Sequence, residues 1–568
     1  MRNKIIVGIA CVAITCSGPA VASASTEALA SAITTAPGQV VRLSLDGAHL
    51  TVRDAFAVLE ADTVQVKLAP KAVTAMTRTR RGALAALKGG ARVYGWNQAL
   101  GPLKDRPLDD GQQRQFQRNM LLSHAAGTGP ALPDRVARLA LIIKANQMAR
   151  ADEGVRPEVP QRLLDLVNAG ITPVMPQIGS LGTGDLQPQA VAGLVAIGEQ
   201  APARYRGEER PAAQILPMAG LSTDFEFQQG EALPLISGST VAAAQFLDAV
   251  HQADSLADLA EGAFALFMEA TRAEQSSLDR RTHDERHIPE QNAVVARLRA
   301  LIKGSQWMTD RGRAQLDTAL GQEPHPRVQD AVSVRAAPHI FAVLRRDLAN
   351  ARTILQREIN SSTSNPLIFP RQGGGHEFVM GGNWDGAMMG HAADTLNADV
   401  TDVAVLSQEL SGRLLSSRWS YGLPPNLAGG LIGLNSGLVQ VQTVAAALIP
   451  EMQSNAFPAS VLSRPVKDGQ EDHNSMAMAS IRKTLANLGQ LPTVLAVQYL
   501  MAAQGIDLIK DKMTGLSLGA GTSALHQAIR KRVPALVDDR WMTPDLQAIT
   551  NAVTNGELLT TVRAATTR

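Results

Sequence analysis

The stretch TVAAAQFLDAVHQADSLADLAEGAFALFM, residues 240–268, decides the fold class. Alanine, leucine and phenylalanine recur along it with a helical period over far more turns than an average globular helix contains. Runs of the same character occur on both sides of it. One extends from Leu121 through Asn168, and others span Val332–Asn360, Ala387–Ser416, Gly437–Met452 and Asn474–Leu508. Between them lie polar, glycine-rich passages, notably Thr172–Pro188 and Ser361–Pro366, while Tyr94–Asp110 reads as a long surface loop. Only Val40–Val52 has the alternating apolar pattern of a strand. The expected class is mainly α: long antiparallel helices in a bundle, a small mixed N-terminal part, and connecting loops that carry the polar elements.

Composition supports this and narrows the function. A formal charge of +2 with 19% charged residues gives no reason to expect a nucleic-acid partner. The densest basic run, Arg78, Arg80 and Arg81, reads as a solvated helix face. Aromatic residues make up 4% of the chain, so hydrophobic bulk comes from Ala, Leu and Val, which suits packed helices. At the N-terminus, Arg2 and Lys4 precede an apolar stretch from Ile5 to about Thr15, and Ala22-Ser23-Ala24 offers small residues for cleavage. This pattern is an export signal too short to span a membrane, and it predicts a periplasmic or secreted protein beginning near Ser25. Cys11 and Cys16 both fall inside the signal, which leaves the mature chain without a thiol nucleophile or disulfide. The expected divisions are 1–24, the signal; 25–230, a loop-rich and helical part; 231–510, the central bundle; and 511–568, a helical tail.

The loops, taken in order, carry a resemblance. Tyr94-Gly95-Trp96-Asn97, Ser123-His124-Ala125-Ala126-Gly127, Gly179-Ser180-Leu181-Gly182-Thr183-Gly184-Asp185-Leu186, Gln329-Asp330 with Ser333 and Arg335, Glu358-Ile359-Asn360 through Asn365-Pro366, Gly381-Gly382-Asn383, Gln470-Glu471-Asp472-His473 and Gln504-Gly505-Ile506-Asp507 follow one another along the chain. Together they resemble the histidine and phenylalanine ammonia-lyase family up to about residue 510, with His124 and Glu471 of the histidine type. The resemblance implies the helical fold of ammonia-lyases and fumarases, a homotetramer whose active sites draw loops from several subunits, and carbon–nitrogen elimination from a small amino acid.

Two departures bear on the cofactor. Family members cyclise an Ala-Ser-Gly triplet into a methylidene-imidazolone, whereas the stretch here is one residue shorter and reads Gly182-Thr183-Gly184. Ser237 stands where the family places an asparagine against that group. These changes lead to the expectation that no methylidene-imidazolone is present, as in the ergothionase-like branch. A quaternary ammonium has no lone pair to add to an electrophile and leaves as neutral trimethylamine. The expected substrate is therefore a histidine-type betaine such as ergothioneine. The alternatives are a conventional ammonia-lyase or aminomutase with a group derived from Gly182-Thr183-Gly184, and an exported binding protein without activity.

The resemblance assigns roles residue by residue. Tyr94 is the expected base for the β-proton, its phenolate favoured by nearby positive charge. Arg335 is expected to hold the substrate carboxylate by a forked pair of hydrogen bonds. His124 and Glu471 are expected to address the imidazole ring, with one ring nitrogen donating and the other accepting. A lone helical histidine is more often structural; its pairing with Glu471 favours a functional role. Trp384 and Trp96 are candidates to face an ammonium group, Lys467 adds positive charge, and Gln329, Asn365 and Asn383 are polar contacts. No metal spacing and no nucleotide-binding loop are apparent, so neither ligand is expected.

Overall fold

The computed structural model describes residues 40–316 and 327–567. The expected export signal, with Cys11 and Cys16, lies outside the described residues. The chain opens with strand β1 (Val40–Leu45), helix α1 (Val52–Glu60) and strand β2 (Thr63–Leu68); the strands pair in parallel from Val40↔Thr63 to Leu45↔Leu68. The strand pattern was expected to run on to Val52, but it stops at Leu45. Asp46 accepts the backbone N–H groups of Ala48 and His49, and Thr51 caps α1 in a reciprocal box with Asp54.

Helices α2 (Pro70–Lys88), α3 (Gln113–His124), α4 (Asp134–Met148), α5 (Glu158–Ala169) and α6 (Leu186–Ala196) build the N-terminal half. The centre consists of α7 (Thr240–Thr271), α8 (Ala337–Glu358), α9 (Ala387–Leu414), α10 (Val439–Asn455) and α11 (Ala477–Ile509). A hairpin of β3 (Leu367–Pro370) and β4 (His376–Val379) follows α8.

All of α7 except His251 and Asp254 is buried. It packs against α11, which also runs along α9. At one crossing Gly262 leaves room for Tyr499, whose hydroxyl donates to the Leu259 carbonyl at 2.7 Å; a Cβ on Gly262 would sit 2.5 Å from that oxygen. Glycine within a helix costs about 1 kcal/mol, and the close approach it permits accounts for its presence. Charges along α7 are matched by arginines on its neighbours: Asp248 by Arg135 at 3.0 Å, Asp258 by Arg345 at 2.6 Å and Glu261 by Arg297 at 2.6 Å.

The tail forms α12 (Ala520–Arg530), α13 (Thr543–Thr554) and α14 (Glu557–Thr566). It docks on the bundle, with Arg563 reaching Asp258 at 2.8 Å and the Gly519 N–H donating to Glu269 at 2.8 Å. Helices α7 and α11 are long and apolar enough by composition to cross a membrane, but their apolar faces are buried inside the protein.

Candidate active site

A cavity of about 660 Å³ opens where the N-terminal loops meet the ends of the long helices. Of the residues singled out in the sequence, Tyr94, His124, Thr183, Ser237, Asn365, Trp384, Lys467 and Glu471 line it. Residues from positions 94 to 471 thus converge from loops and helix ends.

His124 closes α3. Its Nδ1 lies 2.8 Å from the Met120 carbonyl, which can only accept, so Nδ1 carries the proton and Nε2 is left as an acceptor. Burial lowers its pKa, favouring the neutral ring. Tyr94 accepts the Gly101 N–H on its hydroxyl oxygen at 3.0 Å. The sequence reading expected positive charge to favour its phenolate. The structure reverses this: burial raises the Tyr94 pKa and the neighbouring Glu471 carboxylate raises it further.

Glu471 is paired with Lys467. Lys467 and Asp468 both adopt left-handed backbone conformations, at φ of 53° and 54°. Such non-glycine residues cost on the order of 1–2 kcal/mol each. The turn is held by the Val466 N–H donating to the Glu471 carbonyl at 2.9 Å, together with the ion pair.

The loop before α6 forms the cavity floor. Thr183 donates its hydroxyl to Asn474 Oδ1 at 2.9 Å, with Glu471 Oε2 at 3.3 Å. The Gly182 carbonyl accepts from the Ser475 hydroxyl and from the Gly386 N–H, both at 2.8 Å. Gly182 has φ of 86°, and a Cβ there would lie 2.2 Å from Ser475 Oγ, so only glycine fits. Gly184 also has positive φ, at 89°. Asp185, fully buried, accepts from Ser180 Oγ and from the Ala242 N–H, each at 2.7 Å, which ties the loop to the start of α7.

Other expected residues lie elsewhere. Trp96 is a correction: its indole is fully buried between Phe378 and the Arg80 guanidinium, in a small cluster with Ala83, Val93 and Ile368, and has no face toward the cavity. The expected surface loop Tyr94–Asp110 is exposed over most of 101–110, but Trp96, Gln98 and Ala99 at its start are buried. Arg335 and Gln329 are exposed and outside this chain's cavity; Arg335 Nε donates to the Asp330 carbonyl at 2.8 Å. Asn383 is exposed and donates to the Ser362 carbonyl at 3.2 Å. Asn365 lines the cavity while accepting the Gly381 N–H at 2.8 Å.

Sequence reasoning missed Asn474, Ser475 and Gly386, which hold the floor loop, and Arg92, Gln98 and Lys104 at the cavity rim. Asn474 and Ser475 directly follow the quoted Gln470–His473 motif, so they were within reach. Gln98 likewise follows the quoted Tyr94–Asn97 motif, whereas Arg92 and Lys104 had no such signal.

A bundle of long helices with a tyrosine, a neutral histidine and a lysine–glutamate pair around a glycine-flanked loop defines a lyase site. The sequence pattern of the "Aromatic amino acid lyase" family matches residues 50–531, and the chain belongs to that family. It is 35% identical to the histidine ammonia-lyase of Stigmatella aurantiaca over 92% of this chain and 99% of that one. Among solved structures, the tyrosine aminomutase of Streptomyces globisporus superposes with a TM-score of 0.84 at 31% identity, covering 93% of this chain and 99% of the other. The ergothionase of Treponema denticola has a TM-score of 0.83 at 22% identity over 91% and 99% of the two chains, a likeness of fold. The chain is therefore a carbon–nitrogen lyase of the ammonia-lyase type.

Membership corrects the expectation that no methylidene-imidazolone is present. Histidine and aromatic ammonia-lyases at this level of identity normally carry that group. The floor loop fits such a group in two respects. Thr183 retains a β-hydroxyl between two glycines of positive φ, and the Gly182 carbonyl is polarised by Ser475, Gly386 and, at 3.3 Å, Ser239. Two departures stand, the shortened loop with Thr183 at its centre and Ser237 in place of the usual asparagine. A backbone-derived group held by Ser475, Gly386 and Asn474 would supply an electrophile at the cavity floor.

Proposed function

We propose that this chain eliminates an amine from the α-carbon of an amino acid or betaine bearing an imidazole-type ring. The observation that carries the reading is the protonation of His124. With Nδ1–H committed to Met120, His124 offers only an acceptor, and the Glu471 carboxylate retains lone pairs beyond its bonds to Lys467 and Thr183. Two acceptors suit a ring with two N–H groups. An imidazolium has them at the cost of a buried charge, and a neutral imidazole-2-thione has them without it.

Ergothioneine joins such a thione to a trimethylammonium group. In its elimination Tyr94 would take the β-proton, the C–H electrons would form the carbon–carbon double bond, and trimethylamine would leave with the C–N pair. The Trp384 indole at the cavity edge offers the ammonium about 0.5–2 kcal/mol of attraction. A second reading, ammonia release from histidine, is favoured by the curated relative's activity and by the fit of the floor loop to a backbone-derived electrophile.

The proposal includes a homotetramer acting outside the cytoplasm. It is supported by the exposure of Arg335 and Gln329 away from the cavity, and by exposed apolar side chains such as Met388, Phe457 and Val461. Arg335 of one subunit would then meet the substrate carboxylate in another subunit's cavity.

The test is to incubate the protein with histidine, its trimethyl betaine and ergothioneine, following product absorbance and released amine. Trimethylamine from a betaine, with histidine untouched, supports the first reading. Ammonia from histidine, with both betaines inert, sinks it in favour of the second.

A further inference from the structure

Behind the cavity wall lie four ionisable side chains that the proposed reaction does not use. Lys144 sits on α4 in the apolar run Leu139–Met148 and is buried; its Nζ donates to the Ser237 carbonyl at 2.7 Å. Glu153, just after α4, is fully buried, and both its carboxylate oxygens lack a hydrogen-bond partner among the described residues. Asp185 on the floor loop and Glu358 at the end of α8 complete the group. Burying an ammonium is costly unless its charge is balanced, and here Glu153, Asp185 and Glu358 balance it.

The contact with Ser237 is the informative one. Ser237 lines the cavity, and the next residue, Gly238, accepts on its carbonyl the Asp185 N–H at 2.9 Å and the Gln189 amide at 2.9 Å. The wall at 237–238 and the floor loop at 182–185 are therefore one hydrogen-bonded unit, and Lys144 grips that unit from behind. We propose that Lys144 is a positioning residue whose ammonium pins the Ser237 carbonyl and so fixes the cavity floor for catalysis. This rests on reading the cavity as the lyase site.

The cluster also makes the brace sensitive to pH. Burial pushes Glu153 and Glu358 up to about 7 and Asp185 up to about 6, and it lowers Lys144. Lys144 lowers the Glu153 pKa and Asp152 raises it, with Arg150 opposing; Asp385 also raises Glu358. Around neutrality, ionisation of Glu153 and Glu358 changes the negative charge around Lys144.

The experiment compares the parent chain with Glu153→Gln and with the doubly neutral Lys144→Met/Glu153→Gln, which leaves no unbalanced charge in this pair. The double variant is expected to lose about tenfold to a hundredfold in kcat with KM nearly unchanged, the size of effect that a misplaced reacting group produces. Glu153→Gln is expected to fold like the parent and to flatten the kcat profile near pH 7, leaving the part that Glu358 contributes there. Amide hydrogen exchange over residues 235–240, read without turnover, should be faster in the double variant. A double variant with parental kcat, pH profile and exchange would overturn the proposal. An inactive parent would refute the lyase reading, and unchanged exchange at 235–240 would then overturn the brace separately.

Discussion

Replacing His124 by leucine tests the central contact of the site. The Met120 carbonyl keeps its place in the α3 ladder, leucine suits a helix at least as well, and the side chain is half-buried, so the fold should persist. The variant loses the Nε2 acceptor. A ring N–H brought into the cavity would then be stripped of water with no partner, at a cost of about 1–3 kcal/mol. At about 1.4 kcal/mol per decade, that predicts a fall in kcat/KM of roughly fivefold to 150-fold. His124→Gln, which still offers an acceptor, should lose less. Steady-state kinetics following the conjugated product, with thermal melting as the control for folding, measure both. Leucine at 124 with kcat/KM within about twofold of the parent, in a protein that melts normally, would refute the argument that this histidine reads the ring.

Tyr94→Phe should lower kcat by about a hundredfold or more, since it removes the proposed base. Because burial and Glu471 raise the Tyr94 pKa, the phenolate is a minority species at neutral pH, and parental kcat should climb through pH 8 to 9; a flat profile would argue against a phenolate base. Shared sites predict complementation: mixed oligomers of Tyr94→Phe and Arg335→Gln chains should recover about a quarter of parental activity, as random assembly gives intact pairs to that fraction of sites. No recovery in verified mixed oligomers would place both residues in one subunit's site or remove Arg335 from it.

The long helices were legible because their cause is local. Alanine, leucine and phenylalanine recur with a helical period through 240–268, and α7 runs from Thr240 to Thr271 with its few acids matched by arginines. The cavity residues were legible as motifs, and eight of them do meet. Trp96 misled for a physical reason. Its rarity suggested recognition, but its indole packs on Arg80 and Phe378, a tertiary fact that no neighbouring residue announces. Tyr94 misled differently. A phenolate calls for nearby positive charge, whereas the charge that acts on Tyr94 is Glu471. Lys144 left a visible signal, one cation in an apolar helical run, although its partners Glu153 and Glu358 come from separate parts of the chain.

The cofactor reading shows where comparing letters with a motif stops being chemistry. Loss of a serine was taken as loss of the group, yet what ring closure asks of a backbone is a carbonyl made electrophilic, a flexible following residue and a side chain able to lose its hydroxyl. The structure places three donors on the Gly182 carbonyl, gives Gly182 and Gly184 positive φ, and holds the Thr183 hydroxyl against Asn474. These are features of the fold around the loop, supplied by Ser475, Gly386 and Asn474 from distant positions. A loop can change its letters while its surroundings continue to treat it in the same way. Family membership and geometry therefore agree on this point, and the identity of the departing amine becomes a question about the cavity above the floor, which His124, Glu471 and Trp384 line.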